Sequence, residues 1–142
     1  MKTLKFEEYK TIKKILNNYN ERQGKAFIQL IGYANNHSAK KIKNSFTNSE
    51  KEIKVLISKI DSHYESCLYH KETPTFSTQE IFLLSQAFGS EQESLEDISK
   101  KRNLFEIDTW DIFDAIKKEQ DENAKNYLSF VESMKLSSIV GN

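Results

Sequence analysis

Ile53, Leu56, Ile57, Ile60, Tyr64, Cys67 and Leu68 recur at three- and four-residue steps. That spacing paints one stripe along an α-helix and does not fit the two-residue alternation of a half-buried strand. Ser49 followed by Glu52 has the spacing of a capping box, so the stripe predicts a helix over about residues 50–70. Four Gly and one Pro in 142 residues leave few natural breaks. With Lys, Glu, Leu and Ile abundant and no run of alternating Val and Thr, the chain reads as all-α.

The same period appears elsewhere. Phe6, Tyr9, Ile12, Leu16 and Tyr19 mark a first helix, and "NNYNERQG" reads as a break after it. "KAFIQLIGYA" begins a second helix with Phe27, Leu30, Ile31 and Ala34 on one stripe, where Gly32 allows close packing; "NNHS" ends it. "AKKIKNSF" suggests a short third helix. Beyond Pro74, Ser77 and Glu80 form another capping-box pattern. The helix they open is apolar nearly all round (Ile81, Phe82, Leu83, Leu84, Ala87, Phe88), with Gly89 placed as its left-handed terminator. Ser90 and Glu93 repeat the pattern before Leu95 and Ile98. Asp108 can cap a helix that turns Trp110, Ile112, Phe113 and Ile116 inward, and Ala124, Tyr127, Leu128, Val131 and Met134 share a face further on. Periodicity leaves open whether residues 109–136 are one helix or two; "SSIVGN", with residues 137–142, reads as a loose tail.

These elements predict a single compact helical bundle of about five to seven helices over residues 1–142. Pro74 is the one place for a sub-boundary, but halves of about seventy residues are marginal for separate cores. One cysteine cannot form an internal disulfide, and the N-terminus lacks the apolar run of a signal peptide. No segment approaches the ~20 apolar residues of a membrane span. The expectation is a cytoplasmic protein with no membrane partner.

A formal net charge of zero hides an asymmetry. Residues 1–50 carry ten Lys and Arg against four Glu, whereas residues 51–142 carry eleven against seventeen acids. Two solvated faces explain this most simply. Two binding readings also arise from it. Glu96, Asp97, Phe105, Glu106, Asp108, Asp111 and Asp114, with Trp110 nearby, form an acidic, partly apolar footprint for a basic protein partner. Lys10, Lys13, Lys14, Lys40, Lys41 and Lys43 form a basic surface for nucleic-acid backbone. Residues 77–118 have the rough order of a helix-turn-helix, with "SLEDIS" as its first-helix phrase. The would-be recognition helix, however, offers Asp108, Asp111 and Asp114 to a polyanion.

His63, Cys67 and His70 fall within about 60° of one another on a helical wheel, so this trio is the one metal candidate, for Zn²⁺. They run beside Leu56 and Ile60, where a helix packing its border against a core needs the same positions. No phosphate loop, GxGxxG, HExxH or G-x-S-x-G is present, so no catalytic activity is expected. A protein-binding module of regulatory, inhibitory or immunity type leads, ahead of a nucleic-acid-binding regulator.

Overall fold

The computed structural model describes residues 5–69 and 72–141, with side chains as far as Met134. Four α-helices account for nearly all of it: α1 (Phe6–Ile31), α2 (Asn36–Tyr69), α3 (Thr78–Lys100) and α4 (Trp110–Gly141), with one 3-10 turn at Lys101–Leu104. No strand occurs among the described residues. The all-helical bundle matches expectation; the count of five to seven helices does not.

The difference comes from breaks that never form. "NNYNERQG" lies inside α1, where tertiary partners outweigh weak propensity. Asn18 and Arg22 bond to Glu91 of α3, and Gln23 accepts a hydrogen bond from Ser49 of α2. Ser49 therefore sits mid-helix, and the real start of α2 is in "NNHS". There the Ser38 backbone N–H donates to Asn35 Oδ1 at 2.9 Å, and the Asn35 N–H donates to Ser38 Oγ at 3.0 Å. "AKKIKNSF" is simply the first turns of α2.

α3 likewise runs through Gly89 and Ser90 without interruption. Gly89 is no left-handed terminator, and a Cβ there meets open space. Ser90 accepts from Arg22 Nε instead of capping. Of the three Ser–Glu patterns, only Ser77 with Glu80 is a true cap. Ser77 Oγ accepts from the Glu80 N–H at 3.1 Å, and Glu80 Oε1 accepts from the Ser77 N–H at 2.9 Å. With α3 unbroken, residues 77–118 are two long helices joined by a loop, and "SLEDIS" is the end of the first. Residues 110–136 belong to one helix, which continues through the expected loose tail to Gly141; Asn142 lies outside the described residues. Gly32 caps α1 rather than admitting a neighbouring helix.

Cross-helix pairs fix the topology. Tyr9 meets His63, and Phe27 stacks on Phe46, so α1 and α2 are antiparallel. Lys59 reaches Glu80 from α2 to α3. Phe88 stacks on Tyr127, and Gln92 and Gln120 exchange amide-to-carbonyl hydrogen bonds, so α3 and α4 are antiparallel as well. α1 packs against all three other helices. The order is up, down, up, down, which puts the α1–α2 and α3–α4 connections at the same end.

One core draws residues from both sides of Pro74: Ile12, Ile15 and Leu16 of α1, Ile53, Leu56 and Ile60 of α2, Leu84 and Ala87 of α3, and Phe130 and Met134 of α4. Phe76, just before α3, joins them. Burial of this apolar surface is what makes weak local helix formers helical. α1 and α2 bury no residue between Asn17 and Glu52, so the far part of that hairpin has only half-buried contacts such as Phe27 on Phe46.

Candidate functional site

The expected metal trio resolves into something different. His63 is 2% exposed, boxed by the rings of Tyr9, Phe76 and Phe130. Both its nitrogens are engaged: Tyr9 Oη lies 2.6 Å from Nδ1, and Ser133 Oγ lies 2.8 Å from Nε2. The Tyr9 hydroxyl also lies 3.5 Å from Cys67 Sγ. His70 is outside the described residues, and no group of three His, Cys, Asp or Glu suited to a metal occurs among those described.

Burial pushes His63 below the ordinary histidine pKa. Burial, reinforced by the contact with Cys67, pushes the Tyr9 phenol upward. Both groups are therefore neutral near pH 7. The hydroxyl–imidazole–hydroxyl chain links α1, α2 and α4, although α2 and α4 make no backbone contact among the described residues. Ser133 and His63 are spaced like a nucleophile and base. The ring that would act as base is closed off by three aromatic neighbours.

A second buried polar set pins α1 to α3. The buried Glu91 carboxylate accepts from Asn18 Nδ2 at 3.0 Å and from Arg22 Nη1 at 3.0 Å. Nearer the surface, Lys14 reaches Asn123 at 3.4 Å and Glu119 at 3.5 Å, while Lys13 pairs with Asp61 at 2.8 Å.

The basic residues are thus divided. Lys13 and Lys14 spend their charge within the bundle, with Lys10 exposed near them. Lys40, Lys41 and Lys43 are exposed at the other end, where α2 begins. The paired positions on α1 put the two groups about 19 residues apart along the helix axis, or ~30 Å. They do not form one surface.

The acidic footprint does come together. After α3 ends, Leu104 is 78% exposed, Ile107 73% and Trp110 65%, and Phe105 is exposed beside them. Glu106, Asp108, Asp111 and Asp114 alternate with these side chains, and none is ion-paired with another described residue. Asp108 Oδ1 accepts from the Trp110 N–H, which starts α4. Glu96 and Asp97 lie exposed on the last turns of α3.

The expected inward face at Trp110 and Ile112 is corrected: both are exposed, and only Phe113 and Ile116 are half-buried. At Trp110 the indole has a surface partner in Arg102. Its guanidinium stacks 4.8 Å from the Phe113 ring centre and 5.9 Å from that of Trp110, holding the indole at the surface. Phe82 is also exposed, so the second half's most apolar segment buries only part of its circumference.

At the same end of the bundle, Ile28, Leu30 and Tyr33 project from the tip of the α1–α2 hairpin, Tyr33 being 95% exposed. An open groove of about 420 Å³ between α1 and α2 is lined in part by Phe27, Leu30, Ile42 and Phe46. No helix among the described residues is long and apolar enough to cross a membrane. No protein-family model matches this chain, and no curated protein or solved structure shows significant similarity to it.

Proposed function

We propose that this chain is a small cytoplasmic protein-binding module, regulatory, inhibitory or immunity-type in role, that docks a basic partner at the α3–α4 corner. One observation carries the reading. Leu104, Phe105, Ile107 and Trp110 are exposed within seven residues, interleaved with Glu106 and Asp108 and followed by Asp111 and Asp114. Large apolar side chains gathered at a surface and rimmed by charge mark interaction sites more often than chance exposure does. Tryptophan at the centre of such a patch is a common anchor. Uncompensated carboxylates around it favour a basic partner and speed its approach.

The test is affinity capture from the native host with three baits: wild type, a corner variant (Phe105→Ser, Asp108→Lys, Asp111→Lys) and a tip variant (Lys40→Glu, Lys41→Glu). The expected result is one stoichiometric protein presenting a basic surface that the wild type and tip variant retain and the corner variant loses. Capture that ignores the corner substitutions overturns the proposal. So does steeply salt-dependent DNA binding that the tip variant abolishes, which would move the function to the lysines.

A further inference from the structure

We propose that the occupant of the corner is a second copy of this chain: the basic hairpin tip of one protomer sits on the acidic corner of the other, twice per dimer. This rests on reading the α3–α4 corner as a docking surface and names what docks there. Charge complementarity is the first support. Residues 24–49 contain Lys25, Lys40, Lys41 and Lys43 and no acid, while residues 103–116 contain Glu106, Asp108, Asp111 and Asp114 and no base. Lys100, Lys101 and Arg102 precede the corner, and Lys117 and Lys118 follow it, so the acidic stretch is short and bounded. Within one copy, none of the four tip lysines is ion-paired with a described residue.

Both patches are also apolar. The tip offers Tyr33 and an open groove lined by Phe27, Leu30, Ile42, Phe46 and the basic Lys41, and the corner offers Phe105, Ile107 and Trp110 to fill it. Topology supplies the second support. The two connections lie at the same end of the bundle, so a two-fold axis through that end brings tip to corner and corner to tip at once. Such a pairing closes on itself as a dimer.

Sedimentation of the full chain over a micromolar range tests this, using charge reversals at exposed positions. The wild type is expected to sediment as a salt-sensitive dimer. Lys40→Glu/Lys41→Glu and Asp108→Lys/Asp111→Lys are each expected to weaken it at least about tenfold. An equimolar mixture of the two variants is expected to restore the dimer, since in that pair both contacts regain opposite charge. A wild type that stays monomeric throughout, a dimer indifferent to either reversal, or a mixture that fails to recover each overturns the proposal. Helical circular dichroism of each variant confirms folding, and if one reversal unfolds the chain, the salt dependence of the wild-type dimer decides. Adding a Lys/Leu amphipathic peptide separates the two readings. A monomer whose Trp110 emission responds to it keeps the docking surface and loses the second copy; a monomer that does not respond loses both.

Discussion

Replacing His63 with Phe tests the buried hydroxyl–imidazole–hydroxyl chain. Phe fills the aromatic box but removes the partner 2.6 Å from Tyr9 Oη and 2.8 Å from Ser133 Oγ. A buried hydroxyl deprived of its hydrogen bond costs about 1–3 kcal/mol. Tyr9 keeps only the longer contact to Cys67 at 3.5 Å and Ser133 is half-buried, so the change is expected to destabilise the fold by about 1–3 kcal/mol at pH 7.5, most of it from Tyr9. The pH dependence is more diagnostic than the size. Burial lowers the folded-state pKa of His63, so the unfolded chain binds the proton more readily. Stability from the neutral ring is therefore full above the ordinary histidine pKa of ~6.5 and declines as pH falls below it, at up to about 1.4 kcal/mol per pH unit. The Phe variant lacks that slope. Urea unfolding of both proteins between pH 7.5 and 5 should show their midpoints converging on acidification. Parallel curves over that range would refute the account of His63 as a neutral, buried link.

Other perturbations read other parts of the fold. Gly89→Ala should stabilise by about 0.5–1 kcal/mol, because Gly89 is helical with open space at its Cβ; a loss in thermal melting would mean a left-handed conformation there instead. Glu91→Leu should cost about 1–3 kcal/mol in urea unfolding, discounted for the partial exposure of Arg22, since Asn18 and Arg22 lose their shared acceptor. Phe130→Ala, at the fully buried meeting point of Tyr9, His63 and Phe76, should cost about 3–5 kcal/mol. Burial pushes Glu80 upward, but hydrogen bonds from Lys59 and Ser77 bring its carboxyl net below the ordinary value. Its contribution is therefore present above the ordinary glutamate range and lost as pH falls through it, and Ser77→Ala should shrink that acid-side loss while costing about 1 kcal/mol at neutral pH.

Helical class and core were legible because burial follows period. Tyr9, Ile12, Leu16, Ile53, Leu56 and Ile60 were on their stripes and are buried. Boundaries were not, because the same four-residue pattern serves two purposes. Ser77 spends its hydroxyl on a backbone N–H and starts a helix, whereas Ser49 and Ser90 spend theirs on Gln23 and Arg22 within one. Nothing local distinguishes them, since the deciding partners lie 26 and 68 residues away.

The metal candidate had the same difficulty. The wheel put His63 on the shoulder of the apolar stripe, but whether that shoulder faces water depends on α1 and α4. Tyr9 and Ser133, the residues that occupy its nitrogens, carry no signal that pairs them with it. The acidic footprint fared differently. Its carboxylates and Phe105 were visible in the sequence, while the exposure of Trp110 was not, because Arg102 props the indole outward through a stack that sequence does not reveal.

Trp110 is the chain's one tryptophan and stands inside the proposed docking corner, so its fluorescence reads that corner alone. Titrating the protein, held dilute enough to be monomeric, with a Lys/Leu amphipathic peptide should shift the emission to the blue and protect the indole from acrylamide. Salt near 0.5 M should weaken the effect, and Asp108→Lys/Asp111→Lys should abolish it. An emission spectrum unmoved at saturating peptide, or a shift that survives the charge reversal, contradicts the claim that this corner docks a basic partner.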